Sequence, residues 1–176
     1  MIPGFIISIM TFPGVIVHES AHMLFCKIRG VPILDVCFFR FGNPAGYVVH
    51  GRVDDFVTSF LVAVGPFIIN SALCFFVCLP AFVPVRIFGM TDPLSYLLLW
   101  LGISIGMHAF PSMQDASNLW VQAKQAARSF NLLAILSFPL VIAIYIANML
   151  TFFWLDYIYG IAIGLGLPTL ILDHLF

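Results

Sequence analysis

The chain has 176 residues, 62% of them hydrophobic and 9% charged, against roughly 45–50% and about 25% in soluble domains. Its formal net charge is −1, so no basic surface for nucleic acid is expected. Composition therefore excludes an ordinary soluble domain and a nucleic-acid binder, and predicts an all-α membrane protein.

The opening Met1-Ile2-Pro3-Gly4-Phe5 has no positively charged region, so no cleaved signal peptide is expected. A run of roughly 20 apolar residues spans a bilayer. By that measure about five transmembrane segments are predicted, at approximately residues 3–26, 56–80, 94–111, 131–150 and 154–173. They form one multi-pass domain over 1–176, with a core at about 3–120 and a C-terminal helical hairpin at about 131–173.

Lys27, Arg29, Arg40 and Arg52 follow the first segment, and Lys124 and Arg128 follow the third; the connection after the second holds only Arg86. Positive residues favour the cytoplasmic side. The expected topology in the cell membrane places the N-terminus outside and the C-terminus inside. The first connection is more than a loop. Ile33 to Phe41 and Tyr47-Val48-Val49 are rich in β-branched and aromatic residues, and Gly42-Asn43-Pro44-Ala45-Gly46 between them is turn chemistry. A β-hairpin at the membrane surface is predicted. Gln122 to Phe130 reads as a short cytoplasmic helix. Cys74 and Cys78, one helical turn apart in an apolar run, read as small buried side chains.

The chemistry starts in the first segment, at His18-Glu19-Ser20-Ala21-His22. Positions i and i+4 share a helical face, so His18 and His22 can hold one metal ion together. Glu19 beside them is placed to act as a general base. A charged side chain at the centre of a membrane helix costs at least ~2.5–3.5 kcal/mol for Asp, Lys or Arg. Three ionisable groups within five residues, including the chain's only glutamate, therefore point to function.

A catalytic zinc normally takes three protein ligands and keeps one position open. Asp92 and Asp156 lie on the far side in the expected topology. Asp35, Asp54 and Asp55 lie in or beside the hairpin, and Asp173 and His174 at the C-terminal end. That leaves His108 and Asp115. His18 and His22 precede Lys27 by about 14 and 8 Å of helix, and Asp115 precedes Lys124 by about 14 Å. Asp115 is thus the preferred third ligand and His108 the alternative. Pro111 breaks the helix just before Asp115, and broken helices at membrane depth line cavities. In Gly65-Pro66-Phe67-Ile68-Ile69-Asn70, Asn70 either donates to a substrate carbonyl or makes an interhelical hydrogen bond. His108 reads as a bundle histidine, a substrate contact or a support to a ligand.

In this order, the His18–His22 motif, Gly65-Pro66 with Asn70, and Pro111 to Asp115 resemble the site-2 protease family of intramembrane zinc metalloproteases. The resemblance covers roughly residues 10–120, the metalloprotease core. The chain departs from the family pattern at His108, where an asparagine is expected, at Ala116, where glycine is usual, and in the Pro66-to-Asn70 spacing. It resembles a divergent or minimal member. The likeness implies one zinc ion, an endopeptidase, and a membrane-protein client cut within or near its transmembrane segment, with the active site towards the cytoplasm. The β-rich segment between the first two helices also looks like the family, where it helps to admit substrate. The same metal set with an open position also suits iron. A non-catalytic scaffold with a protease-like fold, a metal transporter, and a subunit of a larger membrane complex are the alternatives.

Overall fold

In the computed structural model the chain is mostly helical, with one two-stranded antiparallel sheet. The structure describes residues 4–89 and 92–175. A short helix α1 (Gly4–Met10) leads into α2 (Phe12–Ile28). Strands β1 (Ile33–Cys37) and β2 (Tyr47–His50) pair with Cys37 opposite Tyr47 and Val36 opposite Val48. Then come α3 (Phe56–Phe88), α4 (Pro93–Met107), α5 (Met113–Arg128) and α6 (Leu132–Leu150). A single 3-10 turn at Thr151–Phe153 precedes α7 (Leu155–Ile161), and a π turn at Ala162–Gly166 joins α7 to α8 (Leu167–Leu175).

Three helical stretches are long and apolar enough to cross a membrane: Phe56–Val85, Leu132–Phe153 and Leu155–His174. Many large apolar side chains on them face outward, among them Phe76, Leu136 and Phe152. Exposed apolar surface on that scale is what a lipid-facing protein presents and a soluble monomer avoids.

The helices stack as columns about α3. At the charged end, Asp55 caps α3 by accepting from the Thr58 N–H and hydroxyl at 2.9 and 2.8 Å. Arg29 at the end of α2 donates to Thr58 at 3.0 Å and to Asp55 at 3.3 Å. The Thr58 hydroxyl beside Asp55 holds its carboxyl below the ordinary value. Moving along α3, Gly65 meets the Phe25 ring of α2, Asn70 reaches the end of α4, and Cys78 packs on Gly102. Helices α4 and α5 thus run as one broken column, antiparallel to α3. Its break spans His108 to Ser112. Helix α5 begins well before the expected Gln122, because Ser112 and Asp115 form a capping box there.

The expected C-terminal hairpin takes another form. Helix α6 packs along α5, with Trp120 against Phe138 at 5.2 Å and Asn148 bonded to the Pro111 carbonyl. Helix α7 packs on α4, with Gly160 against Ile103 and Met107. Gly164 lies next to Cys74 and Cys78 of α3. The two arms therefore run on in one sense instead of folding back on each other. The physical reason is a seam of small residues. Gly102 and Gly106 on α4, and Gly160 and Gly164 on the last column, let backbones approach around the two cysteines. Trp154, at φ 64°, makes the turn that starts the second arm.

Candidate metal centre

Both helix breaks, at 108–112 and 151–154, face the His-Glu-Ser-Ala-His turn of α2 across one cavity of about 550 Å³. His18 and His22 lie one turn apart on α2, and Asp115 sits in the first turn of α5. One ligand atom from each of the three falls within 4.8 Å of the others. The two Nε2 atoms are 3.1 Å apart, and His22 Nε2 is 3.5 Å from Asp115 Oδ2.

Each imidazole is turned by a backbone carbonyl. His18 Nδ1 donates to the His108 carbonyl at 2.6 Å, and His22 Nδ1 donates to the Val62 carbonyl at 2.9 Å. A carbonyl only accepts, so each Nδ1 carries the hydrogen, and in the neutral imidazole each Nε2 then presents a lone pair. Two lone pairs and a carboxylate directed at one spot repel unless a positive charge, a metal ion or a proton, sits among them. This is the outer-shell arrangement found behind metal-bound histidines.

The two acceptors are free because the helices around them are interrupted. The Val62 carbonyl would ordinarily take the N–H of residue 66, but Pro66 has none. The His108 carbonyl lies past the last turn of α4, in the break. Asn70 also donates to it at 3.0 Å, and to the Ile105 carbonyl at 3.1 Å and more distantly to the Gly14 carbonyl. Asn70 is fully buried and does not face the cavity. Of its two expected roles, the interhelical bond is the one its geometry fits.

His108 is placed apart from the cluster by its ring and bound to it by its backbone. Its Nε2 lies 2.8 Å from the Thr11 hydroxyl, which itself donates to the Ile7 carbonyl. The Thr11 oxygen therefore accepts from His108, and the ring ties α4 to the start of α2. His108 lines the cavity, but only Asp115 joins the two histidines as a ligating group among the described residues. Asp115 is steadied by Ser112, whose N–H and hydroxyl donate to Oδ2 at 2.9 and 2.6 Å.

Glu19 is buried at the cavity wall, with the turn of the hairpin over it. A Cβ on Gly46 would lie 2.7 Å from Glu19 Cγ and 3.0 Å from Val15. The hairpin backbone therefore lies directly against the Glu19 side chain, and Asn43 to Val48 roof the cavity. Asn148 and Thr151, which sequence reasoning did not single out, complete the wall together with Asp156, all from the C-terminal column. Asp156 was expected on the far side of the membrane from the histidines. It lines the same cavity, because α7 starts beside the α4–α5 break, with the Tyr159 ring tilted against Phe110 at 4.8 Å.

No family model, no curated protein and no solved structure matches the chain. The likeness to site-2 proteases rests on the motifs alone.

Proposed function

We propose that the chain is a zinc-dependent intramembrane endopeptidase of the site-2 protease type, cutting a membrane-protein client within or near its transmembrane segment. The observation that carries this reading is the pair of Nε2 lone pairs, each fixed by a carbonyl at Nδ1, converging with Asp115 beside a buried glutamate. The donor set fits zinc: two neutral imidazoles and one carboxylate, with a cavity on the remaining side. His18, His22 and Asp115 would hold the ion. When bound, zinc supplies Lewis acidity, polarising a carbonyl and making water acidic near neutral pH.

The chain's own residues do the rest. Glu19 takes the proton from the attacking water and returns it to the leaving amine. Burial keeps bulk water from the carboxylate and strengthens its field on the reacting atoms. A helical amide is shielded by its own hydrogen bonds, so the client must unwind. The β1–β2 hairpin over the cavity offers strand pairing to the unwound segment. Proline placed on the hairpin's outer edge should then slow cleavage, and undiminished cleavage would remove that role. A metal transporter needs ligating groups at several depths, whereas those described gather in one cluster.

The topology follows the charges. Lys27, Arg29, Arg40, Arg52, Lys124 and Arg128 flank the ends of α2, the hairpin and α5. Gln122 of α5 bonds to the Val53 carbonyl, which places these ends together. We read that end as cytoplasmic, the N-terminus as outside, and the membrane as the cell membrane. We read the four columns α2, α3, α4–α5 and α6–α8 as one crossing each, which puts the C-terminus outside, where five segments would have put it inside.

The test is cleavage in lipid vesicles. Full-length chain is reconstituted with synthetic single-span peptides, beside a Glu19→Gln variant loaded with zinc. Products formed by the intact chain and lost in Glu19→Gln support the reading. Equal products from both would end it.

A further inference from the structure

Among the described residues no cation pairs with the Asp156 carboxylate. It stands at the second helix break, in the wall of the cavity that holds His18, Glu19 and Asp115. It accepts from the N–H of its neighbour Tyr157 at 2.9 Å. No ion pair reaches it among the described residues, and no Lys or Arg lines the cavity. Glu19 and Asp115 are absorbed by the chemistry proposed above; Asp156 is not. The side chain is half-buried, in a stretch of chain whose other residues are almost all apolar. A carboxylate there is costly unless something compensates it.

The surroundings say what would. Between the cavity residues Thr151 and Asp156 the chain carries the aromatic turn Phe152-Phe153-Trp154, whose rings are exposed in part. A long side chain with an apolar stem and a cationic tip fits such a place: the stem lies on the rings and the tip reaches the acid. We infer that Asp156 is a specificity-determining residue, which receives a lysine or arginine side chain of the client beside the bond to be cut. This inference rests on the endopeptidase reading for the identity of the ligand as a peptide. Its geometry is independent of the metal. Asp156 is not among the three clustered ligands, and it is held by the C-terminal column, not by α2 or α5.

The experiment reads binding, not turnover. Two fluorescent peptides are made, each with one apolar stretch of about 20 residues. One carries lysine at the end of the stretch, the other norleucine, which has a similar stem and no charge. Anisotropy of each peptide is titrated with full-length chain in detergent: wild type, Asp156→Asn and Asp156→Glu. The expected result is about tenfold tighter binding of the lysine peptide by wild type and Asp156→Glu. Asp156→Asn should bind the norleucine peptide as wild type does and lose the preference. Equal binding of both peptides by wild type overturns the inference, and so does a preference that survives in Asp156→Asn. The two readings fail separately. If the lysine preference holds but neither peptide is cut in vesicles, the protease reading fails alone. If both are cut equally well and bound equally, only the role of Asp156 fails.

Discussion

His22 Nδ1 donates to the Val62 carbonyl at 2.9 Å, across the α2–α3 contact. That carbonyl is free because Pro66, four residues on, cannot donate to it. One proline thus fixes the tautomer and orientation of a proposed ligand on another helix. Pro66→Ala restores the missing N–H, which competes for the carbonyl. Metal affinity should fall about 10- to 100-fold, as when outer-shell partners are removed elsewhere, with helix content unchanged. Pro80→Ala alters the same helix far from the histidines and serves as control. Titration against a competing chelator reads both; equal affinities would show that the Val62 carbonyl does not orient His22.

The hairpin roof predicts a separate effect. Gly46→Ala puts a methyl group 2.7 Å from Glu19 Cγ and 3.0 Å from the Phe38 carbonyl, so either the base or the hairpin must move. Displacing a catalytic group by about 1 Å costs on the order of a hundredfold in rate. Cleavage in vesicles should fall by about that factor while metal content stays as in wild type. A variant that loses its metal would place the damage in the ligands instead.

Asn148 supports the break that carries Asp115. Its Nδ2 donates to the Pro111 carbonyl at 2.9 Å, from the C-terminal column. Asn148→Leu keeps the bulk and leaves that carbonyl without its donor. The cost should be about 1 kcal/mol, towards the lower end of what an orphaned acceptor loses because such bonds average less in membranes. Thermal unfolding in detergent measures it, and metal affinity should weaken in parallel. Unchanged values in both would show that the break holds itself.

Acid should loosen the charged end first. Hydrogen bonds from the Thr58 hydroxyl and N–H favour the charged form of Asp55, and its carboxyl lies below its ordinary value near 3.8. A group lowered on folding contributes stability that is full above the ordinary value and is lost as pH falls through the folded one. Asp55→Ala should cost about 1 kcal/mol at neutral pH, as for other lost caps, and the gap to wild type should close as pH falls below the ordinary carboxylate value. A gap that persists in acid would assign the loss to packing.

The legible part of the site was the part with a period. His18 and His22 are four residues apart, and Asp115 could be set at their depth by counting helix rise from the flanking lysines. The hairpin was legible from its β-branched runs and turn residues. The acceptors behind the histidines were not, because they are backbone atoms. Pro66 signals that the Val62 carbonyl is free, but nothing in the sequence says which neighbour takes it. Asn70 showed polarity without direction; its contacts depend on where three helices meet. Only three residues separate the two C-terminal apolar runs, and so short a link suggests arms that fold back on each other. The spacing of Gly160 and Gly164, matching Gly102 and Gly106, was the available sign that the second arm docks on α4. With that docking, Asp156 comes to the cavity.

Metal content tests the central claim most directly. The full chain is purified in detergent without chelators or a histidine-rich tag, and bound metals are measured by mass spectrometry beside His22→Ala and Asp115→Ala. The account predicts about one zinc per chain, lost in both variants. An intact chain that binds no metal, while its fold is retained, would contradict it.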